Sequence, residues 1–492
     1  MRRVLLFVLL VLAGTPSWAH VGSPTVIFDG DAGPYPVRVI IRPPDVIPGL
    51  AEVTVRTRDG REPRAVTVQP IQWQAGPKGA PPPDAARPVP GAPATWTAQL
   101  WLMTSSSYSV RVHVEGPAGQ GTVLVPVSAV RSRILGMSRG LGVVLACLGL
   151  FLFAGAVSIV GAAARESVLA PGEAPDARRR NRARVIAVVT ALLLAWALWG
   201  GKNWWDSVDA GARENLFKPF RVRTEARLAA GRPVLWVAID DQRQQDSTPF
   251  TPDHGKLMHL FLLREPGLDA FAHVHPVARN EKEFESILPA LPPGTYRLYA
   301  DVVHESGFPQ TLVDKVKVPA SSTAGPPSDP DDSWHVTQGL GTRESPMAPV
   351  EGGGSLVWRR EPLKAGREVD LRFELRGPDG RPAPIEPYMG MQGHAVITKN
   401  DGQVFVHLHP MGSINMAAQQ LFEREAGMPG MSGVDHSMHM PQTPRGAAST
   451  VSFPYEFPRP GRYRLWVQVK SGGQVRTGVF DAAVSGPRTT PP

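Results

Sequence analysis

The chain has one cysteine in 492 residues, Cys147. It lies inside an apolar run, so a disulfide framework, CxxC thiol chemistry and a haem CxxCH attachment are all excluded. No Ser/His/Asp arrangement and no phosphate-cradling glycine loop occurs. Aromatic residues make up only 7% of the chain, and no long amphipathic helical pattern appears outside the apolar runs. Nor is there a basic stripe. The formal charge is +8, but much of it sits in the first residues and in one arginine-rich connection. What remains is spread thinly, and nucleic acid is set aside as a partner.

Proline and glycine are abundant instead, at 51 and 49 residues, and they punctuate short alternating apolar runs such as PVRVIIRP and SYSVRVHVEG. That pattern reads as β-strands. The expected fold class is mainly β: three immunoglobulin-like or cupredoxin-like β-sandwiches plus two transmembrane helices. The opening, MRRVLLFVLLVLAGTPSWAH, has Arg2 and Arg3, an apolar run, and Ser17 and Ala19 at −3 and −1. It predicts a signal peptide over residues 1–19. Two apolar stretches, within 138–164 and 185–204, are each close to the roughly 17–25 residues a bilayer-spanning helix needs. The connection 165–184 carries Arg165, Arg178, Arg179, Arg180, Arg182 and Arg184 and is expected in the cytoplasm. The outward parts are then a sandwich over 20–132, a second over 217–319, a linker over 320–349 and a third sandwich over 350–486. The expected location is a bacterial inner membrane, with these parts facing the periplasm.

The second and third units repeat one another. HLFLLREPGLDAFAHVHP (259–276) parallels GHAVITKNDGQVFVHLHP (393–410), and PPGTYRLYADV (292–302) parallels RPGRYRLWVQV (459–469). Internal duplication is the simplest account. Tyr108 marks the first unit as a distant third copy, beside Tyr296 and Tyr463.

The repeat carries chemistry. Residues i and i+2 of a strand share a face, so His273 aligns with His275, and His407 with His409. An Asp401-Gly402 turn sets a register that puts His394 opposite His409, while the Pro266-Gly267-Leu268 loop puts His259 opposite His275. Opposed residues lie roughly 4.5–5.5 Å apart at Cβ. Each hairpin therefore gathers three imidazoles, a donor set suited to copper or zinc, with copper favoured in competition. The metal-free reading is strand punctuation by HxHP.

The third unit also carries an insertion of about 33 residues relative to the second. Met389, Met391, Met411, Met428, Met431, Met438 and Met440, with His436 and His439, lie in or around it, and thioethers select Cu(I). His254, His304 and the acidic run Asp329–Asp332 are expected at the surface. His20, if freed as the mature N-terminus, is a further chelator, with His113 as its candidate companion.

On these residues the chain resembles periplasmic copper-handling proteins. The two repeats are similar to YtkA-like and FixH-like immunoglobulin-like domains, and the exposed His20 to the CopC-like copper-resistance family. The expected function is non-enzymatic: a membrane-anchored copper-binding protein that sequesters Cu(I)/Cu(II) or passes it to a membrane or periplasmic protein partner. The alternatives are a metal-independent envelope scaffold and, third, a mononuclear copper oxidative enzyme built on His20 and His113.

Overall fold

A computed structural model describes residues 25–170, 172–240, 248–320, 328–341, 344–427 and 448–486. The signal segment, His20 and the run holding Met428, Met431, His436, Met438, His439 and Met440 lie outside the described residues. The chain divides into two units. One comprises Met1–Val130 with Lys218–Pro492, and the other Arg131–Phe217.

The smaller unit is a pair of helices, Arg139–Glu166 and Ala177–Glu214, both long and apolar enough to cross a membrane. Ser138 caps the first by accepting from the amide of Leu141, and Asp176 caps the second by accepting from Arg179, each satisfying an amide that a helix start leaves orphaned. The cap at Asp176 places Arg178–Arg184 inside the second helix, so the connection is shorter than 165–184. Beyond the apolar run the same helix continues to Glu214, braced by Lys202–Asp206 and Asp209–Arg213 pairs one turn apart.

The larger unit is mainly β, with six antiparallel sheets among the described residues. Alternation along their strands sends apolar residues inward, and the sheets share hydrophobic clusters in pairs: Val37, Val53, Val110 and Val125 in the first region, Leu235, Leu260, Leu298 and Leu312 in the second, and Leu371, Ile397, Leu408 and Leu465 in the third. Each region contains the same local brace. The hydroxyls of Tyr108, Tyr296 and Tyr463 each donate to the carbonyl four residues upstream, at Thr104, Pro292 and Arg459. This is the tyrosine corner of immunoglobulin-like sheets, and it ties the first region to the two repeats.

Two stretches depart from expectation. The interval 320–349 is not wholly a linker, because Ser333–Val336 adds an edge strand to Ala270–Val274. The insertion after His409 is also not wholly irregular, since Met416–Glu425 forms a helix capped by Asn415. Between them, Met411–Ser413 lies against the first strand of the chain's first sheet, with the amide of Asp29 donating to Met411 and that of Ser413 to Ile27.

Candidate metal centre

The hairpin registers match the sequence reading. In the second region Leu260 faces Val274 and Phe261 faces His273; in the third Ala395 faces Leu408 and Thr398 faces Phe405. Continued one step, these registers set His259 opposite His275 and His394 opposite His409. Val406 and Leu408 point into their own sheet pair's core. The opposite face, which carries the histidines, is not open to solvent: Phe261, Phe271 and Tyr299 of one repeat pack on Val396, Phe405 and Trp466 of the other. The two histidine faces thus cover each other.

The contact is nearly two-fold. Tyr299 stacks on Phe405, and its counterpart Trp466 stacks on Phe271. Arg297 donates to the carbonyl of Asp401, and its counterpart Arg464 to that of Leu268. Across the centre, His259 lies 5.5 Å from His407 and His394 lies 6.3 Å from His273, ring centre to ring centre.

Each triad brings its ligand nitrogens within 4.8 Å of one another. The outward partners fix where the ring protons are. The Nε2–H of His259 donates to the carbonyl of Asp253 at 3.1 Å, and that of His394 to Tyr388 at 3.2 Å. The Nδ1–H of His273 donates to Oε1 of Gln468 at 3.2 Å; the Gln468 amide is held in that sense by donating to Ser333. His275 donates through Nδ1 to Asp332, and His409 to the carbonyl of Ile414. A neutral imidazole has a single N–H. In the first triad the remaining nitrogens therefore face inward as lone pairs, with Nδ1 of His259 3.2 Å from Nε2 of His273; in the second, the inward lone pair on Nδ1 of His394 stands 3.1 Å from Nε2 of His407. The Nε2 atoms of His275 and His409 are buried with no hydrogen-bond partner. The two lone pairs of the first triad, turned on one another at this distance, require a shared proton or cation. Tetrahedral bonds of about 2.0–2.1 Å would separate two ligand nitrogens by about 3.3 Å.

The surroundings keep the rings neutral. Burial holds His259 down at about 4 and His409 at about 3, and lowers His273, His275, His394 and His407 well below the usual imidazole value. Desolvation dominates in every case, reinforced by the neighbouring imidazoles. Neutral imidazole is the metal-binding form. Behind the rings, burial raises Asp332 and Asp301 to about 7. Asp332 orients His275, and Asp301 lies 3.6 Å from Nδ1 of His407. Buried Asp253 stays low despite desolvation, because His254, His259 and His409 surround it and the Ala417 amide donates to it.

Several expectations need correction. His254 is not a surface residue: its Nε2 is buried and unpartnered, and its ring lies 5.1 Å from that of His409. His304 is buried, donating to the carbonyl of Thr248 among Phe220, Phe250 and Phe308, away from the triads. Asp332 is buried against His275 rather than solvated, since the edge strand that follows it draws it inward. Met391 packs into the first region's core with Met411 at its margin, so apolar packing already occupies both thioethers. His113 contacts Thr122 and belongs to none of the histidine groups among the described residues, which do not include its candidate companion His20. Sequence reasoning also missed Asp301 and Gln468, at counterpart positions in the two repeats: Gln468 accepts from His273, and Asp301 lies 3.6 Å from Nδ1 of His407 across the interface.

The family model of a domain of unknown function (DUF8832) matches residues 218–319 and 350–486. Those are the two segments that build the centre. No curated protein matches. Among solved structures, the chain is similar to the FN1–FN3 domains of chicken CNTN1, at 9% identity over 90% of this chain and 97% of that one with a TM-score of 0.14. It is also similar to a mutant Salmonella alpha-2-macroglobulin, at 11% identity over 96% of this chain and 24% of that one with a TM-score of 0.19. Scores this low carry no argument about the chain.

Proposed function

We propose that the chain is a membrane-anchored copper-binding protein whose two repeats clasp metal between them. The observation that carries this reading is the pair of close nitrogen contacts, His259–His273 at 3.2 Å and His394–His407 at 3.1 Å, with the outward nitrogens of His259, His394 and His273 held by the carbonyls of Asp253 and Tyr388 and the amide oxygen of Gln468. Three imidazoles per centre suit both Cu(I) and Cu(II), and copper outcompetes other divalent ions at such a set. The three sheet pairs are read as three sandwiches outside an inner membrane, exported behind a signal peptide and tethered by the two helices, with the arginine-rich connection inside.

Burial favours sequestration over rapid exchange. His273 and His394 are 0% exposed, so an ion enters or leaves only when the repeat interface opens, and a partner receiving copper would have to open it. The test is titration of the full chain in detergent with Cu(I), Cu(II) and Zn(II), beside a His273→Ala/His407→Ala variant of unchanged circular dichroism. The expected result is tight binding of two ions per chain by the wild type and loss of both by the variant. Equal binding by the two proteins would refute the reading.

A further inference from the structure

The turn that precedes each hairpin is itself duplicated. Asp253–Lys256 and Tyr388–Met391 close the same two-residue bridge. The first residue of each, Asp253 or Tyr388, offers its carbonyl to the histidine that opens the following strand. The second residue, His254 or Met389, stands five positions before that histidine in both copies. Both adopt the left-handed backbone region, with φ of 50° and 49°, a conformation that costs a side-chain-bearing residue free energy and persists where its surroundings require it. In neither copy does glycine occupy this position. Glycine follows it instead, as Gly255 and Gly390.

His254 does not serve its own repeat. Its ring is 6.2 Å from His259 of the same hairpin but 5.1 Å from His409 and 5.6 Å from His394 of the other. A ligand atom of His254 lies within 4.8 Å of one on His409, and its Nε2 is buried with no partner. The near-two-fold relation carries His254 onto Met389 and His409 onto His275, so that half-buried Met389 corresponds, by that relation, to a position beside the first triad.

We propose that each turn lends a donor to the opposite triad: His254 to the metal held by His394, His407 and His409, and Met389 to the metal held by His259, His273 and His275. This rests on the metal-binding reading above and deepens it. The duplicated sites are then unequal. One is an all-imidazole centre that accommodates Cu(II) as well as Cu(I). The other adds a thioether, a soft donor that favours Cu(I).

The experiment isolates one centre at a time in the full detergent-solubilised chain, by replacing the other triad with alanines. With only the first triad left, Met389→Leu should weaken Cu(I) binding by about tenfold or more, the scale on which support of a metal site is felt. It should also remove a sulfur scatterer from the copper X-ray absorption spectrum, while His254→Ala leaves that centre unchanged. With only the second triad left the pattern should invert: His254→Ala alters the Cu(II) paramagnetic resonance signal and weakens binding, and Met389→Leu does neither. The proposal is overturned if His254→Ala affects the first centre rather than the second, if sulfur scattering survives Met389→Leu, or if neither variant changes either centre. A wild-type chain that binds no copper fails the underlying reading and is recognised by that control alone.

Discussion

The two hairpins share a register and a histidine pattern, yet they are supported differently. Behind His275 stands the carboxylate of Asp332, contributed by the segment leading into an added edge strand; behind His409 stands the carbonyl of Ile414, contributed by the inserted loop. His273 leans on the neutral amide of Gln468, whereas His407 faces Asp301. The two triads match, and the residues behind them differ. The histidine pattern is thus common to the two repeats, while the groups behind it differ, some at counterpart positions within the repeats and some outside them.

That contrast is most severely tested by removing one triad at a time. Replacing His259, His273 and His275 with alanine should cut the bound copper from two ions to one, and so should replacing His394, His407 and His409; equilibrium dialysis with metal analysis measures both. Loss of both ions from either variant would mean a single shared site.

Acid provides the next largest effect. The buried imidazoles have folded values well below 6.5, near 4 for His259 and near 3 for His409. The unfolded chain therefore takes up protons that the folded metal-free chain refuses. Stability contributed by these groups is present above about pH 6.5 and lost as pH falls from there toward the folded values. Asp301 and Asp332 act in the opposite sense, because their folded values near 7 stabilise the chain at low pH and cost stability as pH rises through 7. With six rings against two carboxyls, thermal unfolding of the metal-free chain should move to lower temperature between pH 6.5 and 4, and the six-alanine variant should show a much flatter dependence.

Asp332→Asn separates the two centres more gently. It should weaken the first by about 10–100-fold, as loss of a ligand-orienting partner does, and leave the second unchanged in the same competition titration. The smallest effect is expected at the interface: Tyr299→Phe removes the hydroxyl that donates to the carbonyl of Gly402. Denaturant unfolding should report a loss of about 1 kcal/mol.

Much of the centre was legible in sequence because strand periodicity and turn length are local rules. Asp401-Gly402 and Pro266-Gly267-Leu268 suffice to set which histidines oppose. Whatever came from elsewhere in the chain was not legible. Asp332 looked like one of several solvated acids because its burial depends on Ser333–Val336 joining a strand some 60 residues earlier. Met391 looked like a ligand because composition does not distinguish a thioether facing a metal from one facing Met416 and Ile414 in a core. His254 had a signal that was overlooked, since it occupies the same place before His259 that Met389 occupies before His394.

The strap after His409 has a mechanical consequence. His409 and Gly412 exchange backbone hydrogen bonds across a tight turn, and Gly412 pairs with Phe28. At its φ of 118°, a Cβ on Gly412 would lie 2.0 Å from the carbonyl oxygen of Ile27, so only glycine lets the strands touch. Val26–Ala32 is in turn locked into a five-stranded sheet. That sheet is a fixed abutment and the strap a short tie-rod, so the ring of His409 swings only if the tie-rod lengthens or the abutment gives. Tension applied to that strand is delivered through the strap to the backbone of His409.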